Sequence, residues 1–195
     1  MSELVMTTDA KWLNDFLGEN SDNIIQVSES AFLQEIENKH EFLDRDLAEG
    51  NSDYKQIVSY CLIVCKDYFF ITQRTSRQSE KRLHNKFSLG IGGHISSSDL
   101  LCDNVVIGGM LRELFEEVNI DCPYRYDFLG VINDNSTEVN TVHAGVCYVI
   151  SLEDKKCYVN ETEKMHGFWI NKNDIGQYVD KLEGWSKILI NSYCK

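Results

Sequence analysis

Residues 110–120 read MLRELFEEVNI, and wound as a helix at about 100° per residue this stretch sorts into two faces. Leu111, Leu114, Phe115 and Val118 share one side. Glu113, Glu116 and Glu117, related by i+3 and i+4, fall on the other. The spacing predicts a helix from about Asp103 to Val118, apolar towards a core and bearing carboxylates away from it. Clustered glutamates are most often a solvated surface, but two costs weigh against that explanation. Glu113 and Glu117 stand at i and i+4, where like charges repel by about 0.2–0.5 kcal/mol, and Arg112 can offset only Glu116. Carboxylates near a helix C-terminus also face the negative end of the macrodipole, at roughly 0.3–1 kcal/mol each. A divalent cation removes both costs together. Hard, oxygen-liganded Mg²⁺, or Mn²⁺ in its place, suits such a set and keeps coordination sites for water and phosphate oxygens.

Outward from this helix the chain alternates between strand-like and helix-like runs. QIVSYCLIVC and YFFITQR, from about Gln56, are β-branched and aromatic runs parted by Lys66-Asp67 and read as a hairpin. YRYDFLGVIN and TVHAGVCYVI, beyond the helix, read as a second pair of strands. The tail from Ile170 reads as two short helices, the second carrying Trp185, Ile188, Leu189 and Tyr193 at helical spacing. Upstream, SESAFLQEIENKHEFL offers Ser28 or Ser30 as an N-cap and Phe32, Ile36 and Leu43 as an apolar face. This order predicts an α/β sandwich with a mixed sheet, in two parts: residues 1–54 as a mostly helical N-terminal extension packed on the core, and residues 55–195 as the main domain.

Gly92-Gly93-His94 followed by Arg112-Glu113-Leu114-Phe115-Glu116-Glu117-Val118-Asn119-Ile120 resembles the Nudix box, G-x5-E-x7-R-E-U-x-E-E-x-G-U with U a bulky aliphatic residue. The REUxEE core matches at every defined position, and the context KRLHNKFSLGIGGHI resembles a subgroup with an extended box. The likeness covers most of residues 55–192. It implies a Nudix-type α/β/α sandwich and Mg²⁺-dependent hydrolysis of a diphosphate linkage, in a nucleoside diphosphate derivative or a similar small phosphorylated substrate. It also implies metal ligation by Gly93, Glu113, Glu116 and Glu117, and catalytic roles for Arg112, Glu113 and Glu116. Two positions depart from the pattern. Gly93 lies five residues too far from Arg112, and the position of the first box glutamate is Asn104, so the outer anchor that helps hold the arginine in the family is missing. Asp103 offers itself as a substitute or as the helix N-cap. The closing glycine is Asn119, the next-best residue for a left-handed helix stop.

Between Arg74 and Lys86 the chain holds Arg74, Arg77, Lys81, Arg82 and Lys86 against Glu80 alone. Arg74, Arg82 and Lys86 are the candidates for holding substrate phosphate beside the metal. A carboxylate must also take the proton of the attacking water. Glu116 is one candidate, and Glu161 or Glu163 in VNETEKMHGFW are others. His94 and His143 sit in apolar, strand-like surroundings and read as structural.

Composition limits the rest. At 195 residues and 43% hydrophobic content the chain can bury one substantial core. A net charge of −12 repels polymeric nucleic acid and anionic membrane surfaces. The N-terminus lacks the basic flank and apolar run of a signal peptide, no window reaches the ~18 apolar residues of a membrane helix, and a cytoplasmic protein is expected. Seven cysteines, odd in number and without a CxxC pair, read as small apolar residues. The partner expected is a small phosphorylated molecule, with a homodimer left open. Three competing readings remain: a catalytically weak Nudix-like nucleotide-binding or regulatory module, motivated by Asn104; an isopentenyl-diphosphate isomerase, which would bring an NTCCSHP-like segment that is absent; and a helical interaction module, which would make the REUxEE match a coincidence.

Overall fold

A computed structural model describes residues 3–74, 86–160, 162–163 and 165–194. The chain opens with β1 (Leu4–Asp9), α1 (Ala10–Leu17), α2 (Glu29–Lys39), β2 (His40–Asp44) and α3 (Arg45–Glu49). The hairpin β3 (Tyr54–Cys65) and β4 (Tyr68–Arg74) follows, then β5 (Phe87–Ser88), β6 (Gly90–Ile91) and the long helix α4 (Val105–Glu117). Beyond it come β7 (Val118–Ile120), β8 (Tyr124–Ile132), α5 (Glu138–Thr141), β9 (His143–Leu152), β10 (Cys157–Val159), β11 (Met165–Asn171) and α6 (Gly184–Tyr193).

Strand β3 organises the sheet. It pairs in parallel with β9 from Gln56↔His143 to Val64↔Ser151, and antiparallel with β1, β6 and β4. Strand β8 pairs antiparallel with β9, and β11 with β4, so the sheet is mixed. The apolar run Tyr60–Cys65 of β3 has a simple cause, because both faces of the sheet are covered. Ile57, Cys61, Ile63 and Cys65 enter one core cluster with Phe32, Met110, Leu114 and Val118. Tyr60, Leu62 and Val64 enter the other with Leu89, Ile188 and Leu189 of the α6 side. This is the α/β/α sandwich expected. Strands β7 and β10 form a separate two-stranded sheet.

Several elements differ from the sequence reading. The N-terminal segment carries three helices, but it also supplies β1 and β2 to the main sheet, with Thr7 paired to Gln56 of β3. Val5, Met6, Thr7 and Thr8 are all buried, so β1 shows none of the alternation that marks a strand with one solvated face. Leu43 belongs to β2 and not to the face of α2. The helix stops at Lys39, where the His40 ring nitrogen Nδ1 reaches the carbonyls of Ile36 and Glu37 at 3.1 and 3.0 Å. In the tail, the first expected helix is a pair of 3₁₀ turns, Lys172–Gln177 and Val179–Lys181. On α4, Phe115 is 42% exposed and sits edge-on to Tyr124, while Val106 and Met110 join Leu114 in the core. The buried stripe is therefore the i, i+4, i+8 row, which drifts away from Phe115.

Lys55 is only 1% exposed, and its ammonium spends its three donors on Asn135 Oδ1 (2.6 Å), Asn140 O (2.9 Å) and His143 O (3.3 Å). Burial pushes its pKa down to about 8, which leaves it mostly protonated at neutral pH. Lys55→Met keeps the stem and orphans three acceptors, so urea denaturation should show a loss of about 2–4 kcal/mol. A loss under about 1 kcal/mol would mean that the polar loop 133–141 is held by its other bonds.

Candidate active site

The start of α4 explains Asn104. Val105, Val106, Ile107, Gly108 and Gly109 are poor helix formers, and the helix begins there because Asn104 Oδ1 accepts from the N–H groups of Val106 and Ile107, both at 3.0 Å. The residue at the place of the first box glutamate is thus the N-cap. Asp103, offered as cap or substitute anchor, is neither and lies exposed in the preceding bend.

The anchor comes instead from Asp99, in the 3₁₀ turn Ser97–Leu101. Arg112 Nε donates to Asp99 Oδ1 at 2.8 Å and Nη2 to Oδ2 at 3.0 Å, a two-point fork. Nη2 also donates to the His94 carbonyl at 2.9 Å, and Nη1 to Glu113 Oε1 at 2.8 Å. Glu116, expected to be the sole partner of Arg112, is a marginal one at 3.4 Å. Turning the long guanidinium across the helix towards Asp99 brings it onto Glu113 as well. Asp99 is 4% exposed and is itself fixed, since its Oδ2 accepts the Ser96 N–H at 2.8 Å in a capping box. Gly109 makes the approach possible: a Cβ there would lie 2.6 Å from Asp99 Oδ2. The sequence did carry a signal, the Ser96-x-x-Asp99 capping pattern in the extra loop followed by Gly108-Gly109.

Glu113 is 14% exposed and Glu116 58%, so the helix presents one fixed and one freer carboxylate. Burial pushes the pKa of Glu113 up against the pull of Arg112, and the charges of Glu116 and Glu3 add to the rise. A cation would relieve that cost. Gly93 lies directly against this group, because a Cβ on it would collide with the Glu113 carboxylate. Its carbonyl accepts from the Ser59 N–H (2.9 Å) and the Ser59 hydroxyl (3.3 Å), so ligation by this oxygen requires the hydroxyl to turn away. Among the described residues no three His, Cys, Asp or Glu side chains form a ready-made cage. Mg²⁺ does not need one, as it keeps several waters and takes one or two carboxylates. The Glu113 carboxylate against Gly93, with the freer Glu116 carboxylate one turn on, is chemically suited to a hard divalent ion.

An open cleft of about 430 Å³ adjoins this face, between Arg112 and Glu116 on one side, Ser96–Ser98 on another, and Glu3 and Leu4 of the N-terminal segment. Arg45 holds Glu3 there by a 3.1 Å ion pair. Nothing in the sequence of residues 3–4 announced this position, which follows from β1 joining the sheet. The basic loop is placed only in part. Arg82 and Glu161 lie outside the described residues, as do Arg77 and Lys81. Arg74 is the last residue of β4, opposite Met165, and Lys86 is half-buried just before β5.

His94 and His143 face each other, Nε2 to Nε2, at 3.3 Å. The Val139 carbonyl, 2.7 Å from His143 Nδ1, requires a proton on that nitrogen and leaves His143 Nε2 to accept from His94. Burial pushes the pKa of His94 down to about 3. The pair is neutral and structural, with the His94 main chain supplying the carbonyl for Arg112. Asn119 is not a left-handed stop either: α4 runs straight into β7, where Asn119 pairs with Tyr158.

No protein-family model matches the sequence. Protein YmaB of Bacillus subtilis (strain 168) is 31% identical over 169 residues, which span 83% of this chain and 82% of that protein. The crystal structure of Tm1382, assigned as a Nudix hydrolase, superposes with a TM-score of 0.82 at 29% identity, over 96% of each chain. The NUDIX domain of Shewanella oneidensis NrtR, solved with ADP ribose, shares the fold at 17% identity and a TM-score of 0.56, over 84% of this chain and 95% of that one. Because the likeness to Tm1382 runs over 96% of each chain and the sequence carries the REUxEE core, the chain belongs to the Nudix hydrolase family.

Proposed function

We infer that this Nudix hydrolase cleaves a diphosphate linkage in a nucleoside diphosphate derivative or a similar small phosphorylated molecule, and that it depends on Mg²⁺ or Mn²⁺. The observation that carries this reading is the desolvated Glu113 carboxylate, held by Arg112 and backed by Gly93, with Glu116 beside it. Glu113, Glu116 and Glu117 would hold the ion. Such an ion would supply charge neutralisation at the phosphates and a lowered pKa for an attacking water. Arg112, locked by Asp99, keeps Glu113 from turning away. Glu116, the freer carboxylate, would take the proton of the water, with Glu161 as the alternative base. Arg74, Arg82 and Lys86 would meet the phosphates that the chain's net charge otherwise repels.

The feature favouring a non-catalytic binding module is Asn104, and its force is reduced by Asp99. The arginine has a carboxylate anchor, and residue 104 has another use. The test is phosphate or nucleotide release from a panel of diphosphate compounds with and without Mg²⁺. Mg²⁺-dependent cleavage of one compound supports the enzyme. Silence across the panel, with measurable binding of a nucleotide, supports the module. With a substrate in hand, Arg82→Ala should raise KM about tenfold and change kcat less, as expected when a contact made equally in ground and transition states is lost. An unchanged KM would return the basic loop to the status of a solvated surface.

A further inference from the structure

The carboxylate helix α4 ends without a stop residue. Val118 already has strand geometry (φ −134°, ψ 150°) and β7 begins there, so the carbonyls of the last turn need partners from elsewhere. Asn160, just beyond β10, supplies them. Its backbone N–H donates to the Glu117 carbonyl at 2.9 Å, and its amide Nδ2 to the carbonyls of Phe115 at 3.0 Å and Glu116 at 3.2 Å. The β7–β10 ladder, with Val159 opposite Val118 and Tyr158 opposite Asn119, brings Asn160 to this place.

Three consecutive carbonyls are therefore fixed by one residue, and the second and third belong to Glu116 and Glu117. Unsecured helix ends fray or tighten to 3₁₀ geometry, and either change would swing the Cα–Cβ bonds of these two glutamates. The three donors also counter the negative end of the helix dipole at the turn that carries both carboxylates. We propose that Asn160 is a positioning residue for the metal site, holding the Glu116 and Glu117 carboxylates at the separation a divalent ion requires. This rests on the metal-binding reading of α4.

The test needs no substrate. Mn²⁺ is titrated into the full-length protein and free Mn²⁺ is read by electron paramagnetic resonance, for the unaltered chain, Asn160→Ala and Asn160→Gln. Thermal unfolding of each is followed without metal, and binding is measured well below every midpoint. Asn160→Ala should weaken Mn²⁺ binding about tenfold or more, within the range for residues that orient metal ligands, and Asn160→Gln should recover part of the loss through its amide. A residue that merely capped the helix would lower the thermal midpoint and leave Mn²⁺ affinity alone. Equal Mn²⁺ affinity in the unaltered chain and Asn160→Ala, within twofold, overturns the proposal while leaving the metal site standing. No Mn²⁺ binding by the unaltered chain removes the metal site itself, and the proposal with it.

Discussion

Glu116→Gln and Glu117→Gln are each expected to lower Mg²⁺-dependent turnover by a factor on the order of a hundred to a thousand, the range seen when one electrostatic element of a preorganised site is removed. The glutamine keeps the shape and hydrogen-bonding capacity of the side chain but not the charge that a hard cation requires. Stability should move in the other direction or stay within about 1 kcal/mol, since both changes soften repulsion within the helix and against its dipole. Glu116 is the clearer case. It is 58% exposed, and its contact with Arg112 is a distant 3.4 Å, so little of the fold rests on it. A loss of activity without a loss of stability distinguishes a functional carboxylate from a structural one. Should both variants turn over substrate at the unaltered rate, the assignment of the site to this helix face fails.

Asp99→Ala is expected to cost both stability and activity. It strips the two-point fork from Arg112 and frees the Ser96 N–H, with the guanidinium still partly covered. Breaking a buried pair costs roughly 3–5 kcal/mol, and partial exposure of Arg112 reduces this to about 2–3 kcal/mol. With its anchor gone, Arg112 no longer fixes Glu113, and kcat/KM should fall about 10- to 100-fold, as for other groups that orient metal ligands. Asn104→Glu provides the control. It restores the first box glutamate, yet the side chain at 104 is engaged with the N–H groups of Val106 and Ile107. It should therefore lose about 1 kcal/mol of helix capping and fail to rescue Asp99→Ala. Full activity in Asp99→Ala, or rescue by glutamate at 104, would show that the arginine is anchored in some other way.

The part of the site that was legible in the sequence is the part that is local. Glu113, Glu116 and Glu117 share a face because helical geometry places i, i+3 and i+4 together, whatever surrounds them. The hairpin β3–β4 and the pair β8–β9 could be read for the same kind of reason, from short-range runs bounded by turns. Phe115 was misread because the width of the buried stripe depends on what packs against the helix, and the helix alone does not specify that.

The remainder was decided by tertiary structure. Asp99 reaches Arg112 only because a 3₁₀ turn folds back over Gly109, whose missing side chain leaves the space. Glu3 faces the carboxylates only because β1 joins the sheet beside β3, and β1 is hidden from pattern reading by being buried on both faces. Asn160 closes a helix more than forty residues earlier in the chain through the register of two short strands. By itself, the sequence determined which carboxylates share one face, because that is a property of one helix. Only the tertiary structure decided what holds those charges in place, because each such contact joins segments that are distant in the chain and meet through packing and strand register.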